Sequence, residues 1–343
     1  MRTTLDPRLV DPTAFEPGLV VDVRDERRAL LVDLGPNIAA LAPRVLLRAT
    51  HAFVTHTHMD HWAGFDHLLA LGLGRVRRLV LWGGPGFCAQ VEHKLRSYTW
   101  NVVHRYEVPM TIEAHAFELD GARTEARFES VRAFARDGAE HRRAPDPGDD
   151  VLLDDPLFRV RATIVDHEMP VLAFAIEEKA QVRVAVDRIA AAGLATGAWL
   201  RALKTAVLAG ASDDAAIDLE WRDRSGDHAE RRTVGALRHL VLDTVPGRRI
   251  GYVTDLRHTA ENVDRLERLL RGADLLFIEA VFSEADRDQA ARKNHLTARQ
   301  AGEIAQRLGA RHVVPFHFSP RYRGAEAQLI EDACSLAARA PSA

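Results

Sequence analysis

Cysteine is nearly absent from this chain: Cys88 and Cys334 are its two cysteines in 343 residues. That excludes a disulfide framework and a zinc site built on cysteine thiolates. Lysine is scarce too, present at Lys94, Lys179, Lys204 and Lys293, so arginine carries most of the positive charge. A formal net charge of −3 gives no global sign of a nucleic-acid binder, although a local basic surface stays open. Long apolar runs are missing as well. The opening stretch MRTTLDPRLVDPTAFEPG has no apolar core of a secretion signal, and no run approaches the roughly 20 residues of a membrane span. The expectation is a cytoplasmic protein without a membrane partner. With 47% hydrophobic and 28% charged residues, the chain has material for one large domain or two ordinary ones.

What is present is concentrated. FVTHTHMDHWAGFDHLL, residues 53–69, crowds four histidines and two aspartates directly behind a short apolar run. Imidazoles and carboxylates gathered this way are costly to desolvate unless something pairs with them, and a metal ion is the natural partner. His56, His58 and Asp60 recur at every second residue, so an extended segment aims them to one side. His61 then points elsewhere, and one loop can serve two ions.

The first half of the chain reads as strands. GLVVDV and RALLVDLG flank the charged turn RDERR as a hairpin. HAFVTH follows, then a helix over 62–71, then the strand RRLVLWGG. Pro85 stands where a first-turn proline belongs, opening a helix to about Tyr98. Residues 111–135 alternate as strands, RAPDPGDD (143–150) is a loop, and FRVRATIVDH and VLAFAIEE resume the strand pattern. From about Val186 to Leu237 the character changes to helical segments with glycine breaks and then a polar, turn-rich stretch. The regular pattern returns with RRIGYVTD, a helix over 258–271, ADLLFIEA, a helix over 297–308, RHVVPFH and a terminal helix. Four apolar strands therefore each stop at a metal-type residue: FVTH at His56, TIVDH at His167, GYVTD at Asp255 and VVPFH at His317. Rigid scaffolds place reactive groups at such strand ends. Imidazole and carboxylate ligands suit zinc, with manganese or iron as alternatives.

HTHMDH is the His-x-His-x-Asp-His signature of the metallo-β-lactamase superfamily, and the chain resembles its ribonuclease Z branch, the tRNA 3′-processing endonucleases. LLVDLG, VDHEMPVLAFAIEEK, IGYVTDLRH, FIEAVF, NHLTARQAG and PFHFSPRYRG resemble that family's motifs in order, from about Gly18 to Gly324. The resemblance implies an α/β fold, a four-layer αββα sandwich with a protruding arm. It implies one domain over 1–343, with the arm over 187–235 as a candidate RNA-gripping exosite. It also implies roles. His56, His58 and His167 hold one ion, Asp60, His61 and His317 the other, and Asp255 bridges. A hydroxide shared by the two ions is then the nucleophile. Asp60 doubles as general base, His295 assists the leaving oxygen, and Glu279 orients His295. In the arm, Arg183, Arg188, Arg201 and Lys204 offer positive charge to RNA, diluted by Asp213, Asp214, Asp218 and Asp223; a solvated helical hairpin is an equal alternative. Implied partners are precursor tRNA or a small phosphodiester, and a second copy of the chain in a homodimer. Two departures stand out: no Gly-Thr-Gly turn near the N-terminus, and Ile278 where the family usually has histidine.

Asp33 reads either as an orienter of a ligand or as a strand-end turn former. His67, His258 and His312 read as surface or packing residues, Cys88 as core, and Trp62 as a wall of the site or a packing residue. The competing function is hydrolysis of a thioester, a lactone or a small cyclic phosphodiester on the same fold. A metal-free scaffold member is disfavoured because every expected ligand type is present.

Overall fold

A computed structural model describes residues 4–24, 26–139, 141–145, 148–223 and 226–337. The chain divides into two compact units, Met1–Glu178 with Arg248–Ala343, and Lys179–Gly247.

The first unit is built on two sheets. One contains β1 (Leu5–Leu9), β2 (Leu19–Val23), β3 (Arg28–Val32), β4 (Ala49–Phe53), β5 (Arg78–Gly83), β6 (Thr111–Phe117), β7 (Arg123–Glu129) and β8 (His141–Arg143), in that spatial order. Strands β3 to β6 run parallel, and both flanks are antiparallel. The expected hairpin is β2–β3, with Leu19 opposite Val32. Pro7 sits in β1, an edge strand, where the missing N–H costs least.

The second sheet contains β9 (Val151–Asp154), β10 (Phe158–Asp166) and β11 (Pro170–Glu178). After the inserted unit it takes up β16 (Arg249–Val253), β17 (Leu275–Glu279) and β18 (Val313–Phe316), in spatial order β18-β17-β16-β11-β10-β9. Alternation along each strand decides what it buries. In the first sheet Leu30, Val32, Phe53, Val80 and Trp82 face Phe158, Val160, Phe174 and Tyr252 of the second. Their neighbours Leu31, Ala52, Leu79 and Leu81 turn outward onto the helices Phe65–Gly72 and Phe87–Arg96. Beyond the second sheet lie the helices Ala260–Leu270, Ala298–Leu308 and Glu326–Ala337. The layering is αββα, as the family resemblance implies.

Some boundaries differ from the sequence reading. The helix expected over 62–71 is two pieces, Met59–Trp62 and Phe65–Gly72. Pro85 does not open the next helix, which starts at Phe87 after Gly86 adopts φ +75°. Trp62 is buried and stacks on Phe65, so it packs and does not wall the site.

The second unit has its own apolar cluster around Ile189, Trp199, Leu203, Leu219, Leu237 and Val241. Strands β12 (Gln181–Val184) and β15 (Leu242–Val245) pair antiparallel at its base. The stretch read as polar and turn-rich is a regular hairpin, β13 (Ala216–Asp223) with β14 (Gly226–Thr233). The helical-hairpin reading is therefore corrected: this unit mixes helices and strands. It also extends past the 187–235 expected for the arm, to Lys179–Gly247. The Arg183 side chain, and Asp146 and Pro147 of the 143–150 loop, lie outside the described residues.

Candidate metal centre

Strands β3, β4, β10, β16, β17 and β18 end on one edge of the first unit, each at or just before an ionisable residue: Asp33, His56, His167, Asp255, Glu279 and His317. Three of these residues adopt left-handed backbone: Asp33 at φ +59°, Asp255 at +51° and His317 at +61°. Such conformations are uncommon away from glycine and gather at functional sites.

The loop after β4 carries His56, His58, Asp60 and His61. It is held down by close backbone approach: a Cβ on Gly35 would come within 2.1 Å of the Asp60 carbonyl oxygen, and one on Gly64 within 2.0 Å of the Gly35 carbonyl oxygen. Only glycine fits at either place.

Three of the imidazoles are fixed through one nitrogen and offer the other. His61 Nδ1 donates to Asp33 Oδ2 at 2.8 Å, His56 Nδ1 to Thr55 Oγ1 at 3.1 Å, and His167 Nδ1 to the Asn294 carbonyl at 2.8 Å. The free nitrogens converge on Asp255. His56 Nε2 and His167 Nε2 each lie 3.5 Å from Asp255 Oδ2, while His61 Nε2 lies 3.5 Å from Asp255 Oδ1 and 3.5 Å from Asp60 Oδ2. His317 Nε2 is 3.5 Å from Asp60 Oδ2, and its Nδ1 is 3.1 Å from Asp255 Oδ1. His58 joins His167 and Asp255 in one compact group; Asp60, His61 and His317 form another.

Two observations test whether this set fits metal ions. His56 Nε2 is buried with no hydrogen-bond partner, a costly state for a neutral imidazole unless a Lewis acid takes the lone pair. Two ligand atoms about 2.1 Å from a tetrahedral zinc stand about 3.4 Å apart, and the separations of 3.5 Å match that edge. The residues fit a divalent cation on either side of Asp255.

The electrostatics follow from burial and charge. Burial, with His61 close by, drives the His56 imidazole down to about 2, so it is neutral and ready to ligate. His61 moves the other way, to about 10: burial opposes its charge, but the Asp33 and Asp255 carboxylates outweigh burial. Burial likewise disfavours the charged Asp60 carboxylate, yet His317 and His61 hold it well below the usual range.

Beside this set lies a second pair. His295 Nδ1 donates to Glu279 Oε2 at 2.8 Å, and Glu279 Oε1 accepts from Leu296 N at 3.0 Å. Burial works against a charged His295, but Glu279 lifts it above its ordinary value; burial also works against the Glu279 carboxylate, which His295 brings down to about 2. Thr297 and Gln300 form a capping box on the helix Ala298–Leu308, which anchors this turn. Glu279, His295, His317 and Asp255 lie close enough to be counted as a group of their own.

The seven expected ligands and the His295–Glu279 pair are thus brought together. Arg201 and Lys204 are not part of this cluster; they lie on the helix Trp199–Leu208 of the second unit, lining a groove of about 640 Å³ with Val184 and Leu200. His67, His258 and His312 are exposed, and Cys88 is buried. Sequence reasoning missed Tyr252, whose hydroxyl donates to Asp33 Oδ2 at 3.0 Å while accepting from Gly18 N at 3.0 Å. A tyrosine within an apolar strand gives no sign of such a role.

Comparison with known proteins bears on the fold and the family. The family model of the beta-lactamase superfamily domain matches residues 216–318. The fold is similar to that of human tRNase Z, short form, at a TM-score of 0.52 and 18% identity, covering 92% of this chain and 90% of that one. It is also similar to the metallo-beta-lactamase fold protein YhfI from Bacillus subtilis, at a TM-score of 0.51 and 16% identity over 94% and 85% of the two chains. In sequence, the Ribonuclease Z of Deinococcus radiodurans is 34% identical over 300 residues, 87% of this chain and 84% of that protein. Likeness at that level, across nearly the full length of both chains and on a shared fold, shows that this chain belongs to the ribonuclease Z family.

Proposed function

We propose that the chain is a two-metal phosphodiesterase that cuts RNA, a ribonuclease Z acting at the 3′ end of precursor tRNA. One observation carries the reading beyond family membership: Asp255 turns Oδ2 toward His56 and His167 and Oδ1 toward His61 and His317. On this reading His56, His58 and His167 hold one divalent cation, Asp60, His61 and His317 the other, and Asp255 serves both. Zinc suits the ligand types, with manganese or iron as alternatives. Two such cations supply a water of lowered pKa and stabilise charge on the attacking and leaving oxygens.

The rest is done by the protein's own groups. Asp33 and Thr55 keep His61 and His56 in one orientation. Asp60, held ionised, accepts the proton of the attacking water. His295, whose protonated form the Glu279 carboxylate favours, donates to the leaving oxygen. Arg201 and Lys204 have no ion-pair partner among the described residues and are assigned to phosphates of the RNA body. A homodimer in the cytoplasm belongs to the same reading. A thioester or lactone substrate is not favoured, because family membership points to RNA.

The deciding experiment presents purified, metal-quantified protein with precursor tRNA bearing a 3′ trailer, a nitrophenyl phosphodiester, a thioester and a lactone. Chelator-sensitive removal of the trailer is expected. Turnover of the thioester or lactone with the tRNA left intact would overturn the reading.

A further inference from the structure

Three segments that carry site residues meet at one arginine outside the ligand set. Arg257 Nε donates to Asn294 Oδ1 at 2.8 Å, and its Nη1 to Asp166 Oδ2 at 3.2 Å; Nη2 lies 3.5 Å from Glu168 Oε1. Asn294 Nδ2 closes the ring by donating to Glu168 Oε2 at 2.9 Å. Each member adjoins a site residue: Asp166 and Glu168 flank His167, Arg257 follows Asp255 by two, and Asn294 precedes His295.

The backbone joins the same turns. Arg257 N donates to the Asp166 carbonyl at 2.9 Å, and the buried Asn262 takes Asp166 N while donating to the Asp166 and Arg257 carbonyls. Asn294 and Glu168 both adopt left-handed backbone, at φ +61° and +66°, conformations that persist where the surroundings over-determine them. Most important, the Asn294 carbonyl accepts from His167 Nδ1. The residue that Arg257 grips therefore also sets the His167 ring.

We propose that Arg257, acting through Asn294 and Glu168, is a positioning residue that couples the His167 ligand to the His295 turn. This rests on the reading of His167 as a ligand. The side chains of Arg257, Asp166 and Glu168 are 37%, 49% and 74% exposed, and ion pairs that open to water contribute little to stability. What the ring supplies is geometry: it holds the Asn294 carbonyl where His167 needs it. Partners that orient a ligating histidine typically govern metal affinity by 10–100-fold.

The test titrates zinc, and separately cobalt by its visible absorption, into metal-free wild type and the variants R257M, R257K, N294A and E168Q. Neither titration needs an RNA substrate, so the outcome stands apart from the success or failure of the tRNA reading. The expected result is one site weakened 10–100-fold in R257M and N294A with the other unchanged, and a melting temperature within a few degrees of wild type. R257K should fail to restore affinity, because an ammonium cannot replace the fork. The R257M/N294A double variant should be no worse than the worse single one. E168Q changes a side chain that is 74% exposed, so it should leave the melting temperature unchanged and weaken the same site by a smaller factor. Wild-type isotherms in R257M and N294A would overturn the proposal. So would equal weakening of both sites with a large fall in melting temperature, since that marks a merely structural role.

Discussion

Asp33 holds His61 through a 2.8 Å hydrogen bond from Nδ1 to Oδ2, and its two oxygens also accept from Tyr252 OH, Thr55 N and Thr55 Oγ1. One carboxylate at the end of β3 thus orients a histidine in the loop after β4. Replacing Asp33 by alanine strands all four donors in a buried place. Metal affinity should fall roughly 10–100-fold, and the metal-free protein should lose about 3–5 kcal/mol. Equilibrium dialysis and chemical denaturation measure the two effects. Unchanged affinity would show that His61 needs no such support.

His295→Ala should keep both metals and slow phosphodiester cleavage by about 10²–10⁴; loss of a metal instead would make His295 a ligand. Glu279→Gln separates orientation from charge. Glu279 raises the His295 value, so activity that needs protonated His295 is lost as pH rises through that value. Without the carboxylate, the alkaline limb of the rate profile should move to lower pH. A limb that stays in place would assign it to another group.

Metal loading should release protons. The carboxylates of Asp33 and Asp255 overcome burial and keep His61 charged in the metal-free protein, up to about 10, whereas a ligating imidazole must be neutral. Affinity therefore rises with pH across the neutral range. In the metal-free fold the sign is opposite: stability from charged His61 is complete below its unfolded value and is lost as pH rises through about 10. Calorimetry in buffers of different ionisation enthalpy reads the proton count directly, and a buffer-independent enthalpy would refute it.

The inserted unit is separable on structural grounds. Glu177 pairs with Arg249 across β11 and β16, and Glu178 N donates to the Arg248 carbonyl at 2.8 Å, so a tight turn can close the gap. Replacing residues 180–246 by such a turn should spare a nitrophenyl phosphodiester and cost at least tenfold on precursor tRNA. Equal losses on both substrates would argue against an RNA-gripping role.

Much of the site was legible because strands that end in histidine or aspartate break an apolar run visibly, as at His56, His167, Asp255 and His317. Pairing of the two oxygens of Asp255 with different histidines was not, since side-chain direction depends on the left-handed turn after β16. The hairpin β13–β14 escaped notice because charged residues such as Asp218 and Arg231 lie on it, and their ion pair forms only across the register. The Arg257 ring was hidden for a plainer reason: Asn294 and Glu168 lie 126 positions apart.

Left-handed backbone at Asp33, Asp255 and His317 has a consequence for how this chain tolerates change. Glycine would relieve about 1–2 kcal/mol of backbone strain at Asp255 or His317; at Asp33 that relief is outweighed by the four hydrogen bonds its carboxylate accepts. Asp255→Gly and His317→Gly should therefore yield proteins that fold without metal at least as well as their Ala counterparts, yet turn nothing over. A lineage released from its substrate would be expected to drift toward glycine or asparagine at Asp255 and His317 before Asp33.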